Sequence, residues 1–424
     1  MDINNGFQQR SESRGGLERH RMSFGQIIPV KMTLCGAIFM LSACQEDFAH
    51  RAQAPIPSET VALMAQVGSD PQSPMLIRSY KKEAELEIWK MRFDGRYTHL
   101  KTYPMCRWSG QLGPKTREGD RQVPEGFYTI SSGQMNPNSN YYLSFNVGYP
   151  NQLDRALGHT GGAIMVHGAC SSAGCFSMTD KQIAEIYAIA RSSFEGGQRN
   201  IQMQSYPFRM NPENLAKHRL DANISFWKQL KQGNDHFEVT KQEPRVAFCG
   251  YKYVFDATPA DGESMEASTS CPPLKTNPEI ARAVFEKEEK DIAKIAELER
   301  NGLPPVRIVY QDGGQHPSFA SRVADVSRPE AIEPPVEIKL EDKSRQAAKT
   351  LDPQINQSSS LISPTTARMV AERHASETQT PLARALASDP RREMSAVAHE
   401  VETVAQNPKK KSKRSGVTPS FVKK

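Results

Sequence analysis

Short apolar runs separated by turn signals fill the chain from Met75 to about Asp256, and their spacing predicts a domain that is mainly β with a few helices. Residues 75–80 and 86–91 read as strands on either side of a charged turn, and a turn at 93–96 leads into a third strand over 97–106. Further short strands are expected at 126–130, 141–146 and 163–166, then at 200–206, 236–240 and 246–255. The period changes after Thr179. Thr179 and Gln182 form a capping-box pattern, and Ile183, Ile186, Tyr187 and Ala190 recur at helical spacing as far as about Arg191.

The flanks are patterned differently. Residues 44–74 hold Pro, Ser, Gln and Ala without sustained periodicity, as a tether would. After the domain, 257–302 reads as a linker and a helix that starts at Asn277–Pro278 and stops at Asn301–Gly302, with a thin stripe of Ile280, Val284, Ile292, Ile295 and Leu298 and enough charge to stand as a solvated extension. From Leu303 onward the aromatics are Tyr310, Phe319 and Phe421, so 303–424 is expected to be largely disordered. The basic run Lys409 to Arg414 reads as a solubilising tail.

Composition supports one core rather than several. Hydrophobic residues make up 38% of the chain, 29 residues are proline, and mean hydropathy is −0.60. A net charge of +6 with acids and bases interspersed argues against a nucleic-acid partner. At the N-terminus, Arg10, Arg14, Arg19, Arg21 and Lys31 precede an apolar run from Met32 to Leu41, the pattern of an export signal. Leu41, Ser42, Ala43 and Cys44 close that run and resemble the lipobox of bacterial lipoproteins. The resemblance makes 1–43 the signal and Cys44 the lipidation site. With Gln45 rather than Asp after it, the outer membrane is favoured over the inner. Of the seven cysteines, Cys106, Cys170, Cys175, Cys249 and Cys271 then remain, an odd number that hints at one free thiol. A Cys249–Cys271 bridge is conceivable, but connectivity stays open.

The candidate chemistry lies between Gly162 and Asp180. An apolar strand delivers His167 and Gly168, a turn of small residues follows, and Ser172, Ala173, Gly174 and Cys175 precede the helix. Small residues let a reacting carbonyl approach the backbone. A cysteine there, with an imidazole in reach, is suited to be a nucleophile held as thiolate by His⁺ and the helix N-terminus. The amides of Gly174 and Cys175 are candidate oxyanion donors. Ser172 either bonds His167 or closes the turn. A zinc site from His159, His167, Cys170 and Cys175 matches no paired Cys-x-x-Cys spacing, so neither metal nor cofactor is expected. Lys115, Arg117, Asp120 and Arg121 form a charged loop that could meet substrate carboxylates or simply be solvated.

His167–Gly168 followed by Ser172, Gly174 and Cys175, with Val123, Pro124 and Gly126 upstream, resembles the L,D-transpeptidases of the YkuD-like family. The eight-residue His–Cys spacing and the stretches 106–114 and 118–126 resemble its YafK-like branch. The resemblance covers about 75–255. It implies a β-sandwich or barrel-like catalytic domain at 75–256, in the periplasm, acting on peptidoglycan stem peptides. It also implies Cys175 attacking the carbonyl at the L-centre of meso-diaminopimelate, with His167 moving the proton. Two positions depart from the family pattern: Ala173 stands where a His is usual, and Ser177 where an Arg is usual. Transpeptidation that crosslinks the wall or attaches envelope proteins is the first reading. A hydrolase of the same fold releasing wall-linked proteins and a non-catalytic anchor are the alternatives.

Overall fold

The computed structural model describes residues 50–321 and 333–341. The proposed signal and Cys44, like the basic run at 409–414, lie outside them.

Two sheets carry the domain. The larger has five strands in the order β3-β2-β1-β9-β4, built from β1 (Met75–Tyr80), β2 (Glu85–Met91), β3 (Tyr97–Pro104), β4 (Gly126–Ser131) and β9 (Asn200–Tyr206). β1 and β9 pair in parallel, and the other neighbours are antiparallel. Their central place explains why β1 reads as a continuous run, since every one of its residues is buried. The smaller sheet runs β5-β6-β7-β8: β5 (Met135–Asn136), β6 (Ser144–Asn146), β7 (Met165–His167) and β8 (Phe176–Ser177).

Helices accompany the sheets, among them α1 (Ser58–Gln66), α2 (Gln152–Ala156), α3 (Asp180–Glu195), α4 (Pro212–Lys217), α5 (Ile224–Thr240) and α6 (Pro278–Arg300). α3 begins at the expected capping box, in which Thr179 and Gln182 satisfy each other's backbone amides. Its stripe of Ile183, Ile186, Tyr187 and Ala190 is buried, and the helix touches both β1 of the larger sheet and β6 and β7 of the smaller.

Four expectations need correction. Residues 44–74 are not all tether, because α1 packs on the domain. Thr60, Leu63, Met64 and Val67 share a face, Met64 is fully buried, and the Thr60 hydroxyl donates to Glu185 on α3. Residues 236–240 are not a strand but the end of α5, which buries Trp227, Leu230, Asn234 and Phe237 at helical spacing. Gly233 interrupts that pattern because the rings of Phe127 and Phe255 press on its Cα, where a Cβ would collide. α6 is not a solvated extension. Lys231 pairs with Asp291 at 2.7 Å, Lys287 with Asp235 at 3.2 Å, and Val284 is buried. Finally, the segment after Leu303 is ordered where it is described. β14 (Val306–Val309) pairs with β15 (Val336–Lys339), and residues 310–316 pack beside Trp108. Main-chain pairing and ion pairs hold this strap, neither of which an aromatic count registers.

One buried ion pair anchors the long loop between β3 and β4. Lys81, just after β1, lies 2.9 Å from Glu125, and both side chains are fully buried. Lys81 also donates to the Gly113 and Val123 carbonyls at 3.0 Å, while Glu125 accepts from Gly113 N–H at 2.7 Å and from Trp227 at 2.8 Å. Breaking a buried pair by removing one partner leaves a stranded charge. Lys81→Met is therefore expected to lower stability by about 3–5 kcal/mol in chemical denaturation. A loss well below 1 kcal/mol would show the pair to be solvated.

Candidate active site

β7 and β8 set the relation between His167 and Cys175. The two strands pair in parallel, with Val166 opposite Phe176 and His167 opposite Ser177. Cys175, at the entry to β8, thus lies diagonally across from His167, and period-two alternation puts both side chains on one face. The Met165 N–H points at Cys175 Sγ across 3.4 Å. His167 is buried and lies against the half-exposed ring of Tyr141, with centroids 4.7 Å apart and the planes tilted by 34°.

The imidazole tautomer follows from its partner. His167 Nδ1 is 2.6 Å from the Gly168 carbonyl, and a carbonyl only accepts, so Nδ1 carries the hydrogen. Neutral His167 therefore keeps its lone pair on Nε2, the form a general base needs. Burial lowers the imidazole below its ordinary 6.5, partly offset by that hydrogen bond. Burial likewise pushes the Cys175 thiol above 9.0, against smaller downward pulls from the Met165 amide and the Lys115 charge. Both shifts favour a resting pair of thiol and neutral imidazole over the expected thiolate held by His⁺ and a helix terminus. β8 stands between Cys175 and α3, Thr179 caps the first turn of that helix, and Asp180 accepts from the Ala169 N–H at 2.9 Å.

The loop between the two residues is tightly specified. Ala169 and Cys170 are both left-handed, with φ of 63° and 41°, and Gly174 has φ of 121°, where a side chain would be strained. Cys170 is bridged to Cys106, Cys249 is bridged to Cys271, and Cys175 is the free cysteine among the described residues. Gly168 is needed for space rather than dihedral, since a Cβ would run into Asp180 and the Tyr141 carbonyl.

Ser172 closes the turn rather than reaching His167. Its hydroxyl donates to the Cys175 carbonyl at 2.7 Å and accepts from Cys175 N–H at 3.2 Å. Gly174 N–H donates to Ser109 at 2.6 Å. The two amides expected to form an oxyanion hole are thus turned into the loop. Ser177 has its hydroxyl on the Ser171 carbonyl. His159 pairs with Asp154 at 3.3 Å, and Cys170 is consumed by its disulfide, so these two stand apart from the proposed chemistry. In the charged loop Lys115 is buried and paired with Asp120, Arg117 is exposed, and Arg121 donates to the Ser172 carbonyl at 2.9 Å.

Sequence reasoning missed Ser109, Tyr141 and Asp312. Asp312 bonds Arg121 at 2.8 Å and Arg107 at 3.1 Å. Nothing in the local pattern around these three marks them. The Asp312, Gly313, Gly314 turn is the one available signal, a sharp bend in a segment otherwise read as tail.

This arrangement sets a free cysteine and a buried imidazole on one face of a β-rich scaffold. The YkuD family model, described as the L,D-transpeptidase catalytic domain, matches residues 94–201, which include both His167 and Cys175. Over 182 residues the chain is 41% identical to "Putative L,D-transpeptidase YafK" of Escherichia coli K12, covering 43% of this chain and 74% of that protein; its counterpart in Escherichia coli O157:H7 matches equally. The chain belongs to the YkuD L,D-transpeptidase family. Among solved structures, the helical cell shape determining protein Pgp2 from Campylobacter jejuni is similar at 14% identity and a TM-score of 0.26, over 59% of this chain and 80% of that one. At those values the likeness is too slight to argue from.

The neutral resting pair has a measurable consequence. Alkylation of Cys175 by iodoacetamide should be slow at pH 7 and rise with a midpoint above 9, because the raised thiol stays protonated until then. The imidazole, being lowered, should stay neutral down to below pH 6.5. A midpoint near 6 would reveal a preformed thiolate–imidazolium pair instead.

Proposed function

We propose that the chain is an acyltransferase acting on meso-diaminopimelate stem peptides of peptidoglycan, with Cys175 as nucleophile and His167 as proton carrier. The observation that supports this reading is the strand register that sets the side chains of His167 and of Cys175, the free cysteine among the described residues, on one face, with Nε2 left as the basic nitrogen of the neutral imidazole.

The reaction runs in two transfers. Nε2 of His167 takes the Cys175 proton as sulfur bonds to the carbonyl carbon at the L-centre of diaminopimelate. The tetrahedral intermediate collapses, the C–N bond breaks, and the imidazolium returns its proton to the leaving amine. The resulting thioester is attacked by an acceptor amine, whose proton passes to His167 and then to the departing sulfur. A neutral resting pair suits this sequence, since no ion pair has to be undone before substrate arrives. Tyr141, half-exposed and tilted against the imidazole, offers a flat surface beside the reacting atoms.

Muropeptides bearing tetrapeptide stems, incubated with the protein and resolved by mass, test the reading. Crosslinked or exchanged products are expected from the wild type, none from Cys175→Ser, and a rate about 10²–10⁴ lower from His167→Ala. Net hydrolysis without exchange would assign water as acceptor. Wild-type turnover by Cys175→Ser would remove the nucleophile assignment. A carbapenem adduct should map to the peptide containing Cys175.

We further propose that the mature protein is held on a membrane in the periplasm by lipid on Cys44, the outer membrane being favoured. The support is the register of Leu41, Ser42, Ala43 and Cys44 with the end of the apolar run. Cys44→Ala should move the protein from the membrane to the soluble fraction or leave the signal uncleaved. Unchanged fractionation, with no lipid on the mature N-terminus, would contradict the anchor.

A further inference from the structure

The strap that follows α6 returns to the catalytic face. The Trp108 and Gly314 backbones exchange hydrogen bonds at 2.9 and 3.0 Å, and the Tyr310 ring meets Trp108 edge-on at 4.8 Å. Gly313 is indispensable to that contact, since a Cβ there would overlap the Trp108 carbonyl. Between Tyr310 and Gly313, the buried Asp312 is delivered to two arginines. Its Oδ2 lies 2.8 Å from Arg121 Nη2 and 3.1 Å from Arg107 Nη2, and its Oδ1 lies 3.3 Å from Arg121 Nε.

Arg121 in turn reaches the nucleophile loop. The same Nη2 donates to the Ser172 carbonyl at 2.9 Å. The Arg121 backbone is left-handed, with φ of 57°, an unusual conformation for an arginine that its surroundings must impose. Its own carbonyl accepts from Ser109, the residue that receives the Gly174 amide. A fork of donors on a carboxylate fixes a guanidinium in orientation as well as position. Burial works to raise the Asp312 carboxyl, but the Arg121 hydrogen bond and the Arg107 and Arg121 charges outweigh it and hold it below the usual range. The carboxylate is therefore ionised across the neutral range.

We propose that Asp312 is a positioning residue for the catalytic loop: its carboxylate orients Arg121, Arg121 holds the Ser172 carbonyl, and the strap thereby fixes the turn from which Cys175 reacts. This rests on the assignment of Cys175 as nucleophile but needs no particular substrate. It also assigns the segment after Leu303 a part in the reaction, so a chain ending at Gly302 should lose activity while retaining Cys175 and His167.

The test uses the full chain with Asp312→Asn, Arg121→Gln, the double variant and Asp312→Glu. Two readouts are taken: stem-peptide turnover, and iodoacetamide alkylation of Cys175 at pH 7. Loosening the turn should expose the thiol and misplace it, so Asp312→Asn should turn over about 10- to 100-fold more slowly yet alkylate faster. The double variant should be no worse than Arg121→Gln alone, because both act through one contact chain. Asp312→Glu, which keeps the charge, should recover part of the turnover. A purely structural role predicts a lower melting temperature with alkylation unchanged, or losses that add in the double variant, and either result overturns the proposal. Should the wild type turn over no stem peptide, the alkylation arm alone decides: coupled, faster alkylation upholds the positioning role, and unchanged alkylation refutes it.

Discussion

A single buried charge pair, Lys81 with Glu125, underlies much of what surrounds the candidate site. Two full charges without solvent are tolerable only when every remaining donor and acceptor is used, and here the Gly113 and Val123 carbonyls, the Gly113 amide and Trp227 supply the partners. That requirement ties β1, α5, and the middle and the β4 end of the loop between β3 and β4 to one point. The same loop carries Ser109, Lys115 and Arg121, and two of the three bond directly to the turn that presents Cys175. Fixing the loop beneath the site therefore fixes the site.

The proposed reacting pair, His167 and Cys175, gains from the same rigidity. Parallel pairing of β7 with β8 sets the diagonal between His167 and Cys175, and the Cys106–Cys170 disulfide ties the intervening turn to the loop across from it. Burial makes both groups neutral at rest, while the Gly168 carbonyl selects the tautomer with a basic Nε2. A cysteine kept as thiol is protected from adventitious oxidation and alkylation, and in the proposed mechanism it reacts only when a carbonyl is presented.

What the sequence made legible was the part whose chemistry is contiguous. His167, Gly168, Ser172, Gly174 and Cys175 fall within one short stretch, so strand, turn and nucleophile could be read together. The strands at 75–80 and 200–206 and the capped helix after Thr179 were equally plain, because local pattern and burial agree there. The misses have physical causes. Gly233 broke the helical pattern of α5 to admit two aromatic rings, and the β-branched end of that helix imitated a strand. α1 was hidden among Pro and Ser although Thr60, Leu63, Met64 and Val67 keep helical spacing. Asp312 and Ser109 act on the loop only after the chain has folded back. The same holds for the oxyanion expectation, which spacing suggested and the inward turn of the Gly174 and Cys175 amides opposes.

The central claim is that a covalent bond forms at one sulfur. Its most direct measurement is the intact mass of the protein after brief reaction with a stem-peptide donor and acid quench, followed by digestion to locate the added mass. The account predicts one acyl group, lost on treatment with hydroxylamine as a thioester would be, on the peptide containing Cys175. Turnover with no adduct at Cys175, or with a stable adduct on another residue, would contradict it.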